Sequence, residues 1–111
     1  MSFRRTYVRD EVMRRLKRGQ IAVEAEIDLH GLRQHAAQAA LRQFLNDCLH
    51  RGLRCVRVIH GKGLRSGPGG PVLKLSVHHW LHKVENVAAF AAAQPADGGS
   101  GAVYVLLNVR K

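Results

Sequence analysis

Two short stretches hold the side chains best suited to chemistry. The first is Ile27-Asp28-Leu29-His30-Gly31. On an extended backbone Asp28 and His30 project to one side while Ile27 and Leu29 point to the other. A carboxylate beside an imidazole orients the ring and stabilises its protonated form, which suits proton transfer near neutral pH. Gly31 then permits a sharp turn or the close approach of a phosphate. The second stretch is His60-Gly61-Lys62-Gly63. Its glycines open backbone N–H groups to an anion, and Lys62 adds positive charge. It is not a Walker loop, because the spacing differs and no Ser or Thr follows the Lys. Each stretch also has a plainer reading. In the first, Asp28 is a cap and His30 a polar strand end; in the second, the glycines only turn a loop.

The elements that must position these groups follow from periodicity. Residues 22–30 alternate as a strand, and residues 34–50 show one helical stripe of Ala37, Leu41, Phe44, Leu45 and Cys48. Gly52 stops that helix. Residues 53–59 form a Val- and Ile-rich strand ending at His60. The Gly-rich loop 60–71 leads into a helix in which Leu73, Val77, Trp80, Leu81 and Val84 share a face, with Pro71 suited to its first turn. Strands over 87–93 and 103–109 flank the Gly-rich turn 97–101. A basic helix over 8–19 precedes all of this. The expected fold is α/β: a β-α-β-α-β-β two-layer sandwich of a four-stranded mixed sheet and two helices, plus the basic N-terminal helix. Residues 1–20 read as an appendage and residues 21–111 as the domain. His30 and His60 fall at the carboxyl ends of the first two strands of this domain, where open α/β sheets collect ligands.

Charge narrows the class of partner. The chain of 111 residues has 18 Lys and Arg against 8 Asp and Glu, a net charge of +10. A compact domain with that excess attracts polyanions, most commonly phosphate backbones. Arg33, Arg65 of Leu64-Arg65-Ser66, and Arg14, Arg15 and Arg18 of the leading helix are the candidates for phosphate contact; their plainer reading is a solvated charged face. An acidic membrane surface is a poorer fit, since no basic helix carries bulky apolar anchors on its other side. No stretch approaches the ~20 apolar residues of a membrane span. The opening Met-Ser-Phe-Arg-Arg has no apolar run behind it, and Asp10 and Glu11 argue against a transit peptide. Cys48 and Cys55 lack metal spacing and read as reduced packing residues, as in a cytoplasmic protein. His78 and His82 have a metal-compatible spacing, but no neighbouring Asp, Glu or Cys completes a site, so they read as surface histidines. Trp80 reads as core.

Taken together, the two stretches resemble the Smr (small MutS-related) domain. Its L-D-L-H-G motif appears as Ile27-Asp28-Leu29-His30-Gly31, with Ile in place of the first Leu. Its H-G-x-G motif appears as His60-Gly61-Lys62-Gly63, and its late Gly-Gly-x-Gly-Ala turn as Gly98-Gly99-Ser100-Gly101-Ala102. The resemblance covers about residues 20 to 110, and the basic lead-in is similar to that of stand-alone bacterial Smr proteins. It implies a fold like the C-terminal domain of translation initiation factor three. It also implies nucleic-acid binding and, in several members, endonuclease activity on RNA or DNA, with a bacterial subgroup acting on messenger RNA at stalled ribosomes. The functional positions it implies are Asp28, His30 and His60, with Gly61 and Gly63 shaping the loop.

The mechanism expected for RNA has His30 or His60 taking a proton from the 2′-OH and the other protonating the leaving 5′-oxygen. Asp28 orients its neighbour, and Lys62 with the loop N–H groups holds the phosphoryl oxygens. One carboxylate and two histidines make a thin ligand set for Mg²⁺ or Mn²⁺. Cleavage of DNA, which has no 2′-OH, would need a metal-activated water. No small-molecule cofactor is expected. Two other readings stand beside this one: a module that binds nucleic acid without cutting it, and a ribosome adaptor held by the N-terminal arginines.

Overall fold

A computed structural model describes residues 2–62 and 70–109. The elements are β1 (Ser2–Arg4), α1 (Asp10–Lys17), β2 (Ala25–Asp28), α2 (Gln34–His50), β3 (Cys55–Ile59), α3 (Gly70–Lys83), β4 (Val87–Ala92) and β5 (Ala102–Leu107). Two single 3₁₀ turns, Pro95–Asp97 and Gly99–Gly101, join the last two strands. The sheet order is β1-β4-β5-β3-β2. Among the described strands β2 and β3 run parallel, and the other neighbours are antiparallel.

The expected sheet of four strands gains a fifth at its edge. Ser2, Phe3 and Arg4 pair with Ala91, Phe90 and Ala89. Three residues are too few to display a period, so the strand left no pattern to read. Packing holds it: the Phe3 ring lies 5.5 Å from Phe90 and 4.3 Å from His82. Arg5 then donates to the carbonyls of His82, Val84 and Val87 at 2.9–3.1 Å. It thereby caps the carboxyl end of α3, where carbonyls lack helical partners.

The two-layer expectation is also corrected. Leu29, Leu41, Leu45, Val56, Val58, Leu73, Val77, Leu81, Val103 and Val105 form one core beneath α2 and α3. Val8, Met13, Leu16, Ala89, Ala91, Tyr104 and Leu106 form a second core beneath α1. The reason lies in β5, whose six residues are all buried. A strand apolar on both faces needs cover on both, and α1 supplies the second layer. Alanines at 89 and 91 leave room for Met13 and Leu16. Val8, Met13 and Leu16 of the leading segment thus belong to this second core, and cutting the segment away would uncover this face. Asp10 and Glu11 in the first turn of α1, with Arg14, Arg15 and Lys17 in the last, complement the helix dipole.

Cys48 and Cys55 are buried and unpaired with each other, in keeping with their reading as packing residues. Trp80 packs at the margin of the first core. Among the described residues no helix is long and apolar enough to cross a membrane.

Candidate active site

β2 is shorter than its alternation suggests, and its early end builds the site. The Asp28 carboxylate accepts the backbone N–H of His30 at 3.0 Å, the local bond by which Asp stops a strand and starts a turn. The same oxygen, Oδ1, lies 2.6 Å from His30 Nδ1. Asp28 and His30 thus come together through a turn at the strand end, where strand alternation had been expected. Both side chains face solvent, at 50% and 68% exposed. Burial raises the Asp28 pKa, but the bonds from His30 outweigh it and hold the carboxyl below the usual range. The dyad presents an oriented imidazole with Nε2 available to a ligand. Gly31 follows with φ +80° and open space around its α-carbon. Arg33 is exposed immediately before α2.

The parallel pairing of β2 with β3 sets Asp28 opposite Ile59. This brings the second motif beside the first, as the sequence suggested. A Cβ added to Gly61 would lie 3.2 Å from His30 Cβ, and Gly61 has φ +88°, so both space and backbone favour glycine there. Lys62 is exposed. Gly63 and Arg65, along with Leu64 and Ser66, lie outside the described residues.

Two expectations about this loop change. First, the amides of His60 and Gly61 both donate to the Gly101 carbonyl, at 3.0 and 2.9 Å. They brace the loop against the late Gly-rich turn and do not face an anion. That turn is a wall of the site: a Cβ on Gly101 would approach Lys62 Cγ to 3.0 Å. Second, His60 is buried, with 3% of its surface exposed. Burial lowers its pKa against the bond to Gly61.

Sequence reasoning missed His78. Expected on the surface, it is 6% exposed, its ring edge-on to His60 at 5.5 Å and stacked on Phe90 at 5.3 Å. Burial, with the charges of His60 and Lys74, lowers its pKa to about 4. The signal available was its position between Val77 and Leu81 on a helix that must cover both α2 and β4. His82 is exposed, as expected. Arg14, Arg15 and Arg18 are exposed as well. The carboxyl end of α1 is tied to the segment after β4 by Gln94, whose side chain donates to the Lys17 carbonyl at 2.6 Å. This places the basic end of α1 at the same end of the sheet as Asp28, His30 and Lys62.

Fold and site define a small α/β domain that exposes an Asp–His couple on a chain of net charge +10. The chain belongs to the Smr domain family, whose model matches residues 27–108. It is 35% identical over 107 residues to a protein of Aliivibrio fischeri named ribosome rescue factor SmrB, covering 93% of this chain and 57% of the relative. It is 32% identical over 108 residues to a protein of Escherichia coli named probable DNA endonuclease SmrA, covering 97% and 58%. The chain thus spans somewhat more than half the length of these relatives. The crystal structure of YdaL, a stand-alone small MutS-related protein from Escherichia coli, superposes with a TM-score of 0.84 at 33% identity, covering 99% of this chain and 82% of that one.

Proposed function

We propose that this chain is a nucleic-acid-binding endonuclease domain that cleaves RNA by proton transfer at His30. The observation that carries the reading is the exposed couple of His30 and Asp28, 2.6 Å apart, at the carboxyl ends of the parallel strands. His30 Nε2 takes the proton of the 2′-OH. The 2′-oxygen bonds to phosphorus, the bond to the 5′-oxygen breaks, and that oxygen takes a proton from solvent. The products are a 2′,3′-cyclic phosphate and a 5′-hydroxyl. Asp28 steadies the imidazolium that forms, and Lys62 lies beside the developing charge on the phosphoryl oxygens. Nicking of DNA would draw instead on a metal-activated water. The names of the relatives, one a ribosome rescue factor and one a probable DNA endonuclease, support this reading. The substrate proposed is messenger RNA at stalled ribosomes in the cytoplasm. The test is incubation of labelled single-stranded RNA and plasmid DNA with the protein, in EDTA and in Mg²⁺ or Mn²⁺. RNA cleavage that persists in EDTA is expected; failure to cut either substrate under all conditions contradicts the proposal.

Arg14, Arg15 and Arg18 we assign to the phosphate backbone or to ribosomal RNA. Deleting residues 1–19 cannot test this, because it strips the second core. Replacing the three exposed arginines with alanine can. Affinity for single-stranded RNA at low salt is expected to fall at least tenfold, and the slope of log K against log salt to flatten by about two for three lost contacts. An unchanged slope would remove the helix from the interface.

A further inference from the structure

His60 is poorly placed to touch a substrate. Its Nε2 has no exposed surface and no hydrogen-bond partner among the described residues. Its Nδ1 lies 2.7 Å from the Gly61 carbonyl. A carbonyl only accepts, so the ring carries its proton on Nδ1, and in the neutral form Nε2 is a bare acceptor. Burial favours that neutral form. Gly61 is held at both its polar groups, its carbonyl by His60 and its N–H by the Gly101 carbonyl, and a Cβ added to it would lie 3.2 Å from His30 Cβ. The ring that holds the carbonyl is itself fixed, edge-on to His78, which stacks on Phe90.

We infer that His60 is a positioning residue: its Nδ1–H fixes the Gly61 carbonyl, and through Gly61 it sets where His30 and Lys62 meet the nucleic acid, without exchanging a proton with substrate itself. The inference rests on the nuclease reading for its activity readout, but the geometry can be tested without it.

Two amide substitutions separate the roles. Asparagine carries its amide nitrogen on Cγ, where Nδ1 stood. Glutamine carries its amide nitrogen one atom further, near the place of Nε2. His60→Asn therefore keeps the donor to Gly61, and His60→Gln loses it. Cleavage of single-stranded RNA in EDTA, corrected for the folded fraction by thermal melting, is expected to fall no more than tenfold in H60N and at least a hundredfold in H60Q. A folded H60N as inactive as H60Q overturns the inference, because a proton-exchanging imidazole is rescued by neither amide. Nitrogen-15 NMR of the wild-type imidazoles provides the second readout, independent of variant folding. A neutral His60 ring protonated on Nδ1 at pH 7 is expected; protonation on Nε2, or an imidazolium, overturns the inference. If wild type cuts no RNA, the nuclease reading fails and the NMR result alone decides the role of His60.

Discussion

Replacing His30 with alanine is expected to reduce RNA cleavage by about 10²- to 10⁴-fold, the range over which a positioned acid–base group contributes. The fold should be untouched. The ring is 68% exposed and its hydrogen bond is local, to a residue two positions away, and exposed side chains of this kind are worth about 0.5 kcal/mol or less to stability. Asp28→Asn should be milder, about 10²-fold. The amide oxygen can still accept from His30 Nδ1, but the charge that stabilises the imidazolium is gone. The loss should fall on kcat more than on KM, since neither side chain supplies the bulk of the positive charge that binds the backbone. Activity in H30A within tenfold of wild type, with melting unchanged, would move the chemistry elsewhere.

The second large effect concerns stability in acid. His78 is 6% exposed, and its pKa in the folded chain is about 4, against an ordinary value of 6.5. Between those values the unfolded chain binds a proton that the folded chain refuses. Stability is therefore full above about pH 6.5 and is lost progressively as the pH falls towards 4. The gap corresponds to on the order of 3 kcal/mol. His60, whose pKa is lowered in the same direction, adds to the same slope. Chemical denaturation from pH 7.5 to 4 should show the decline, and His78→Leu should remove a large part of it. Among the described residues His78 meets the His60 and Phe90 rings, and the charges of His60, Lys74 and the N-terminus act with burial against its protonated form. A stability profile flat from pH 7 to 4.5 in the wild type would contradict the buried neutral pair.

Much of this architecture could be read from residue order. The stripe of α2 matches its helix from Gln34 to His50. The apolar run of β3 and the strand–helix alternation led to the parallel pairing that brings the two motifs together. What stayed hidden has physical causes. β1 is three residues long and is held by Phe3 and Arg5, contacts far apart in sequence. The second core follows from β5 being apolar on both faces, a feature visible in the sequence that nonetheless needed α1 to be placed. The Asp28–His30 couple was legible as a pair, but its geometry comes from a side-chain bond to the His30 backbone, which alternation does not encode. His78 was misread because the helix stripe was taken as narrow, whereas α3 packs against both α2 and the sheet. The burial of His60 was not legible from its motif, because the His78 ring and the Gly101 turn that pack around it lie far along the chain.

Proton transfer from the 2′-OH to His30 is tested most directly by the chemistry of the RNA end that the wild-type protein leaves in EDTA, read by mass spectrometry of a short defined oligonucleotide. A 2′,3′-cyclic phosphate paired with a 5′-hydroxyl is expected, formed by wild type and lost in His30→Ala. A 3′-hydroxyl paired with a 5′-phosphate would contradict it, because that product requires water, and not the 2′-oxygen, as the nucleophile.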